Sequence, residues 1–325
     1  MRGRPPVAPT QHFDLPEEDE EAQDTVTPIG HAHAHLRRNM DCTPLDWRQY
    51  FDELIWFGPI PIYKAGTSGP VFLALHGAGL CSFGYACAAK LLKSDCRFFA
   101  FDFRAHGHNQ LSESEYQLDV DTLINETLSV MDYIRSITDN HQIILVGHSM
   151  GGAIASKAAL EDHKRGKGVM GLIVLDVVEG SAIDALPHMD NIISQRPRTF
   201  QSLEQAIQWA VNSNTVKNIE SARISMPAQV VEENGIWRWR TDLAMTRQYW
   251  EGWFRGMNNA FLGVVGPKQL MIAGSDRTDR QMMIAQMQGK FKHTVLFGVG
   301  HTVHEDAPEQ FAEQVRIFIS TFKLK

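Results

Sequence analysis

The chain has 325 residues, of which 43% are hydrophobic, and a net charge of −7 at pH 7, so it can bury a large core and has no basic surface for nucleic acid. No apolar run approaches the roughly eighteen residues of a membrane span, and the first ten residues lack the apolar segment of a secretion signal. The four cysteines lack C-x-x-C spacing, so we expect an intracellular protein, in the cytoplasm or nucleus, with free thiols and without a metal or cofactor.

Residues 1–40 are predicted to form a disordered tail, and residues 41–325 a folded domain. The tail begins Pro-rich and then carries an acidic run and alternating histidines. Such a composition buries too little apolar surface to offset the entropy lost on ordering. After Pro44, closely spaced aromatic residues predict an arm docked on the domain, namely Trp47, Tyr50, Phe51, Trp56 and Phe57.

Short apolar runs predict strands that are buried on both faces, as in a mostly parallel sheet flanked by helices. These runs lie at residues 70–76, 98–101, 143–146, 171–177, 269–273 and 294–297. Apolar residues at three-and-four spacing over 118–137 predict an amphipathic helix on this sheet, and another helix is expected at 308–322. Asp102, Arg104 and His106 follow the second strand, where we expect a hydrogen-bonded structural turn.

A G-x-S-x-G motif follows the strand at 143–146 and precedes small, helix-compatible residues. A serine in this context lies on a sharp strand-to-helix turn, which requires small residues two positions before and after it. Gly147 and Gly151 meet this requirement around Ser149. The pattern therefore predicts Ser149 as a nucleophile above a helix N-terminus.

The loop that follows the first predicted parallel strand reads His76-Gly77-Ala78-Gly79. In serine hydrolases a loop at this place lends a backbone N–H to the oxyanion hole, beside the N–H of the residue after the nucleophile. The expected donors are therefore Ala78 and Met150. His76, Gly77 and Gly79 are candidates for lining the substrate pocket.

Two aspartates end later strands at the sheet edge where catalytic groups gather, Asp176 and Asp276, and the strand pattern does not choose between them. His301, after a Gly-bearing loop, is the expected base. A metal site at His301 and His304 is not expected, because no zincin spacing surrounds them. The order Ser, Asp, His is that of α/β-hydrolases.

About ninety residues separate the two aspartate-bearing strands, which is far too long for a simple connection. We predict that residues of about 180–267 form a helical cap inserted between strands 6 and 7 of an α/β-hydrolase fold. Five of the seven tryptophans lie here, and a few of them are expected to line the cleft: Trp209, Trp237, Trp239, Trp250 and Trp253.

Several segments of the chain match a known family, at residues 147–155, 176–180, 220–223, 249–256, 286–291, 300–301 and 304–308. The cap motif at 249–256 and the stretch at 286–291 are the more specific similarities. From about Pro44 to the last helix, the chain resembles the protein phosphatase methylesterases, α/β-hydrolases that remove the methyl ester from the C-terminal leucine of the protein phosphatase 2A catalytic subunit. A long acidic insertion common in animal members is absent between Val230 and Trp237, which puts its regulatory features in doubt.

The resemblance implies a triad of Ser149, Asp176 and His301, and so it favours Asp176 over Asp276. It implies a serine methylesterase whose partner is the methylated tail of the phosphatase 2A catalytic subunit. Glu179, Trp250 and Trp253 lie in the matching segments and are further pocket candidates. Two alternatives are a carboxylesterase for small esters and a phosphatase-binding or inhibitory protein with a hydrolase fold.

Overall fold

The strands and helices were defined in a computed structural model that describes residues 40–111, 117–139, 141–274 and 278–324. The strands are β1 (Glu53–Phe57), β2 (Ile60–Ala65), β3 (Val71–Leu75), β4 (Arg97–Phe101), β5 (Ile143–His148), β6 (Gly171–Leu175), β7 (Thr199–Phe200), β8 (Val230–Glu233), β9 (Ile236–Trp239), β10 (Lys268–Ile272) and β11 (Lys292–Val295). The helices are α1 (Ala86–Leu92), α2 (Val120–Ile137), α3 (Met150–Lys164), α4 (Glu179–Ser194), α5 (Leu203–Asn212), α6 (Ile219–Gln229), α7 (Trp250–Phe254), α8 (Met257–Gly263), α9 (Arg280–Met287), α10 (Val303–Asp306) and α11 (Pro308–Phe322).

The central sheet has the strand order β1-β2-β4-β3-β5-β6-β10-β11. In this order, the six strands β4, β3, β5, β6, β10 and β11 pair in parallel. Strands β1 and β2 pair antiparallel with each other, and β2 also pairs antiparallel with β4. Every residue of β3, β5, β6 and β10 is buried, as expected of strands covered on both faces. The predicted mostly parallel sheet is confirmed.

Helices cover both faces of the sheet. Side chains from α2, α3 and α8 pack on one face, where Leu73 and Leu145 lie in the core. Side chains from α1 and α11 pack on the other face, over Phe72 and Val146. Successive strand residues point to opposite faces, so each strand contributes to both cores.

Only the first part of the predicted aromatic arm docks on the domain as an arm, and its last part is a strand of the central sheet. Tyr50 and Phe51 are buried against the second core, but Trp56 and Phe57 belong to β1, the antiparallel edge strand of the sheet. Trp56 is 43% exposed. Residues 54–57 are four consecutive apolar residues, and the aromatic ones among them were interpreted as anchors of a docked arm and not as part of an edge strand.

The segment between β6 and β10 contains α4 to α8 and also a small antiparallel sheet of order β7-β9-β8. The sequence predicted only helices here. Strands β8 and β9 are joined at Asn234 and Gly235, both with positive φ of 54° and 79°. This is the Asn-Gly chemistry of a two-residue hairpin.

Contacts group the chain from Asp41 to Lys325 into one compact unit. Of the predicted tail, all residues before Met40 lie outside the described residues, as does Asp276. Among the described helices, none is long and apolar enough to cross a bilayer.

Candidate active site

Ser149 lies at the sharp turn between β5 and α3, with φ 52° and ψ −120°. A Cβ at Gly147 would overlap the carbonyl oxygen of Gly151, and a Cβ at Gly151 would overlap that of Leu75. Neither position can therefore hold a larger residue without moving backbone. The steric reason for the G-x-S-x-G pattern is confirmed, and the strained conformation presents the Ser149 side chain at the strand edge.

Asp176 and His301 form a direct pair at the same edge of the sheet. Asp176 follows β6 and is buried, with a positive φ of 51°, and its Oδ2 lies 2.7 Å from His301 Nδ1. Its Oδ1 accepts a hydrogen bond of 2.8 Å from the Ala273 backbone N–H. These contacts fix both the carboxylate and the Nδ1 side of the imidazole ring, and they leave the other ring nitrogen for chemistry.

Ser149 and His301 line one cavity of about 400 Å³. The His301 side chain is 50% exposed, whereas that of Asp176 is fully buried. Among the described residues, no hydrogen bond joins the Ser149 hydroxyl to His301. Both side chains therefore face the same space, with their direct contact not formed in this structure.

Two buried histidines hold the loop that contains Ala78. His106 Nε2 accepts the Gly79 N–H at 2.9 Å, and its Nδ1 donates to the Arg104 carbonyl oxygen at 2.8 Å. His76 Nε2 likewise accepts the Phe103 N–H at 3.1 Å. Burial lowers the pKa of His76 to about 4 and that of His106 to about 3, so both rings are neutral and can accept these bonds.

The Ala78 N–H has no hydrogen-bond acceptor in the part of the chain that the structure describes. Met150 is the first residue of α3, so its N–H has no partner within the helix. Both residues flank the Ser149 turn at the positions predicted for oxyanion donors. The sequence had suggested only a structural turn for His106 and missed that it holds this loop.

His148 joins the nucleophile turn to the loop of His301. Its Nε2 lies 2.8 Å from the His301 carbonyl oxygen, and burial lowers its pKa well below the ordinary value, so the neutral ring donates this bond. The two residues are 153 positions apart in the chain. No local sequence signal could have indicated this contact.

The pocket candidates divide into two groups. Gly77 and Gly79 line the cavity, whereas His76 lies fully buried beneath it. Trp250 and Trp253 do not line it, because their indole N–H groups donate to Thr246 Oγ1 and to the Leu118 carbonyl oxygen in the interior. These two tryptophans are packing residues of the cap, contrary to the sequence-based expectation.

Glu179 also acts inside the cap and does not line the cavity. Its carboxylate accepts hydrogen bonds from the backbone N–H groups of Gly256 and Asn258, at 2.8 and 3.1 Å. These N–H groups begin α8, where a negative charge is favourable. Glu179 therefore fixes the return of the cap to the domain.

The cap wall of the cavity comes from residues that the sequence did not single out, apart from Trp209. Its members are apolar or neutral and polar, apart from the cation Arg196, and they include Met189, Ile192, Ile193, Arg196, Trp209 and Leu243. They come from α4, from α5 and from the segments that flank β7 and α7. Their convergence depends on the folding of the whole cap, which a local pattern does not encode.

Behind the His301 loop, Glu305 is a fully buried carboxyl group whose Oε2 accepts a 2.6 Å hydrogen bond from Ser225. Burial raises its pKa to about 8, opposed by the Ser225 bond and aided by the charge of Asp306. The folded protein therefore keeps a proton that the unfolded chain releases above its ordinary pKa of 4.5. Stability from this group is complete below pH 4.5 and is lost as the pH rises toward 8.

We expect Glu305→Gln to remove this pH dependence. As the pH rises from 5 to 7, the free energy of unfolding of wild type should fall by on the order of 2 to 3 kcal/mol relative to that of the variant. Urea unfolding of both proteins at the two pH values measures this. His304, with a pKa lowered to about 3 by burial, titrates in both proteins and cancels in the comparison. If the free energies of unfolding of wild type and variant changed equally between the two pH values, Glu305 would be ionised in the folded protein.

A family model described as "Alpha/beta hydrolase family" matches residues 71–314. Among solved structures, E-2-(acetamidomethylene)succinate hydrolase has a TM-score of 0.69 at 18% identity and covers 82% of this chain and 98% of its own. A thioesterase domain from the curacin biosynthetic pathway has a TM-score of 0.63 at 22% identity, covering 81% and 98%. At these identities the structures establish the fold.

Curated relatives are closer in sequence. Protein phosphatase methylesterase 1 from Rattus norvegicus and from Homo sapiens are each 37% identical over 335 positions, covering 87% of this chain and 86% of theirs. The probable protein phosphatase methylesterase 1 of Caenorhabditis elegans is 41% identical over 288 positions, covering 86% and 78%. The chain therefore belongs to the protein phosphatase methylesterase 1 family of α/β-hydrolases, and it is a carboxylic ester hydrolase.

Proposed function

We propose that this enzyme removes the methyl ester from the C-terminal leucine of the protein phosphatase 2A catalytic subunit. The names of its relatives support a phosphatase substrate. The observation that carries the chemistry is the 2.7 Å contact between His301 Nδ1 and Asp176 Oδ2, beside a strained Ser149 in a shared cavity. This arrangement supports the mechanism of a Ser-His-Asp esterase.

In the proposed mechanism, His301 accepts the proton of Ser149 as the serine oxygen attacks the ester carbonyl carbon. Asp176 accepts the Nδ1–H of His301, which leaves Nε2 unprotonated and stabilises the imidazolium that forms. The hydrogen bond between Ser149 and His301 would form as substrate fills the cavity, since catalytic bonds often tighten on binding. His301 then donates the proton to the departing methoxide oxygen, so that methanol leaves. Water, deprotonated by His301, attacks the acyl-enzyme, and the proton returns to the Ser149 oxygen as the acid is released.

The negative charge on the ester oxygen would be held by the N–H groups of Ala78 and Met150. The free Ala78 N–H and the position of Met150 at the start of α3 support this role. The hydrogen bond between His106 and Gly79 would keep the loop in place before the substrate arrives. Such preorganisation is what makes an oxyanion hole effective.

We infer that the phosphatase tail enters the cavity between the cap and the sheet edge. The enzyme would act inside the cell, in the cytoplasm or nucleus. The buried free thiols of Cys42, Cys81, Cys87 and Cys96 fit a reducing compartment.

The test is methanol release from a carboxymethylated phosphatase 2A catalytic subunit, with wild-type enzyme beside Ser149→Ala. We expect release by the wild type and its loss in the variant. Cleavage of small chromogenic esters without methanol release from the phosphatase would identify a general carboxylesterase instead. Binding of the phosphatase with no turnover of any ester would identify a binding protein.

A further inference from the structure

We infer that Arg196 is a specificity residue that binds an acidic side chain of the substrate's acyl peptide. This inference rests on the proposed function, because it concerns the peptide that carries the ester. Arg196 lines the same cavity as Ser149 and His301, just after α4 ends at Ser194. Among the described residues that line this cavity, Arg196 is the one lysine or arginine, and there is no aspartate or glutamate.

The guanidinium is held by an aromatic platform. Arg196 Cζ lies 3.6 Å from the ring centroid of Trp239, a close cation–π contact. Trp239 is itself fixed, because its Nε1–H donates to the Pro197 carbonyl oxygen at 2.8 Å and its ring packs edge-on against Phe200 and Trp209 at 5.3 and 5.4 Å. The charge is therefore positioned before any ligand arrives.

Stacking satisfies the face of the guanidinium but not its donors. An arginine carries five N–H donors in the plane of its head group. Among the described residues, no carboxylate lies within ion-pair distance of Arg196, and its side chain makes no hydrogen bond to the protein. Burial lowers its pKa to about 10, which leaves it positively charged at neutral pH.

The end of α4 offers only partial compensation, because a helix C-terminus carries about half a negative charge. The remaining charge faces a cavity that is otherwise apolar or neutral. A leucine methyl ester is itself uncharged, so the complementary anion has to come from a residue that precedes the leucine. The chemistry of Arg196 therefore selects a peptide with aspartate or glutamate within a few residues of the esterified end.

The test uses N-acetyl tetrapeptides that end in leucine methyl ester, with glutamate or its neutral isostere glutamine at each of the three preceding positions. At one position, wild-type kcat/KM for glutamate should exceed that for glutamine by roughly 10- to 100-fold, as expected for a charged hydrogen bond. Arg196→Gln should abolish the preference, and Arg196→Lys should retain part of it. The ratio of kcat/KM for the glutamate and glutamine peptides is taken within each variant, so that any general change in activity cancels.

Arg198→Gln is the matched control, since Arg198 lies in the same segment, is exposed and does not line the cavity. It should keep the wild-type preference, and thermal unfolding of all variants should verify that they fold. An equal rate for glutamate and glutamine peptides in wild type, or a preference that survives in Arg196→Gln, would overturn the inference. A further outcome concerns peptides without acidic side chains. If the free-acid form inhibits more strongly than the C-terminal amide, and Arg196→Gln removes this difference, Arg196 binds the product carboxylate and the inference is overturned.

The two proposals can fail separately. If the wild type cleaves p-nitrophenyl acetate but no leucine methyl ester, the proposed function fails. The same peptides, prepared as C-terminal amides, are then used as competitive inhibitors of p-nitrophenyl acetate cleavage. Tighter inhibition by the glutamate peptide in wild type, but not in Arg196→Gln, would still support an anion site at Arg196. Equal inhibition would reject it.

Discussion

Replacement of Ser149 by alanine is expected to lower the rate of ester cleavage by roughly 10³- to 10⁶-fold, the range seen when a catalytic serine is removed. Alanine lacks the oxygen that would form the acyl-enzyme, but it has the Cβ that the turn already accommodates. The fold should therefore be retained, and residual cleavage would come from the oxyanion donors and substrate binding alone.

The measurement is kcat on a chromogenic ester and methanol release from the methylated phosphatase, each with thermal unfolding as a check. Ser156→Ala is a suitable control, because Ser156 lies further along α3 and its hydroxyl donates to the Gly152 carbonyl oxygen. It should leave the cleavage rate unchanged. A Ser149→Ala enzyme with wild-type activity would disprove the nucleophile assignment.

Replacement of Asp176 by asparagine is expected to lower kcat by about 10⁴-fold, by analogy with the effect of this change in other Ser-His-Asp enzymes. Asparagine is the same size, and its amide oxygen can keep the hydrogen bond from Ala273. Its amide NH₂ would then donate to His301 Nδ1 and place the ring proton on Nε2. In that tautomer His301 cannot accept the proton of Ser149.

The loss should appear in kcat more than in KM, since the change affects the tautomer and not the cavity wall. Asp276→Asn is the decisive comparison, because Asp276 was the other aspartate at a strand end. It should keep most of the activity. The reverse result, with Asp276→Asn inactive and Asp176→Asn active, would show that the acid had been assigned to the wrong strand.

The parallel sheet could be predicted because strands that are covered on both faces consist of consecutive apolar residues. The predicted segment 143–146 lies in β5, and the predicted helix 118–137 contains α2 at Val120–Ile137. The small cap sheet could not be predicted in this way. β7 has two residues and β8 and β9 have four each, too few for a periodic pattern.

The choice of acid shows a second limit. Apolar runs locate the ends of strands, but not which end lies nearest to His301. Asp176 and Asp276 were therefore equivalent until the family resemblance favoured Asp176. In the structure, Asp176 is the residue in contact with His301 Nδ1, while Asp276 lies outside the described residues.

The cap residues show the same limit more strongly. Trp250 and Trp253 were expected near the cleft because they lie in a cap segment that matches the family, yet both donate hydrogen bonds inside the protein. Arg196 went unnoticed, because a single arginine has no motif. Its role as a candidate site comes from Trp239, which lies 43 positions further along the chain and folds back through the cap sheet.

The sequence by itself determined the strands of the parallel sheet and the strained serine turn, because each depends on steric or apolar patterns within about ten residues. Only the tertiary structure decided which groups meet. The contacts of Asp176 with His301, His148 with the His301 loop, and His106 with Gly79 join residues 125, 153 and 27 positions apart. Such contacts are set by the order of strands and the path of the cap, since hydrogen bonds and charges act through space and not along the chain.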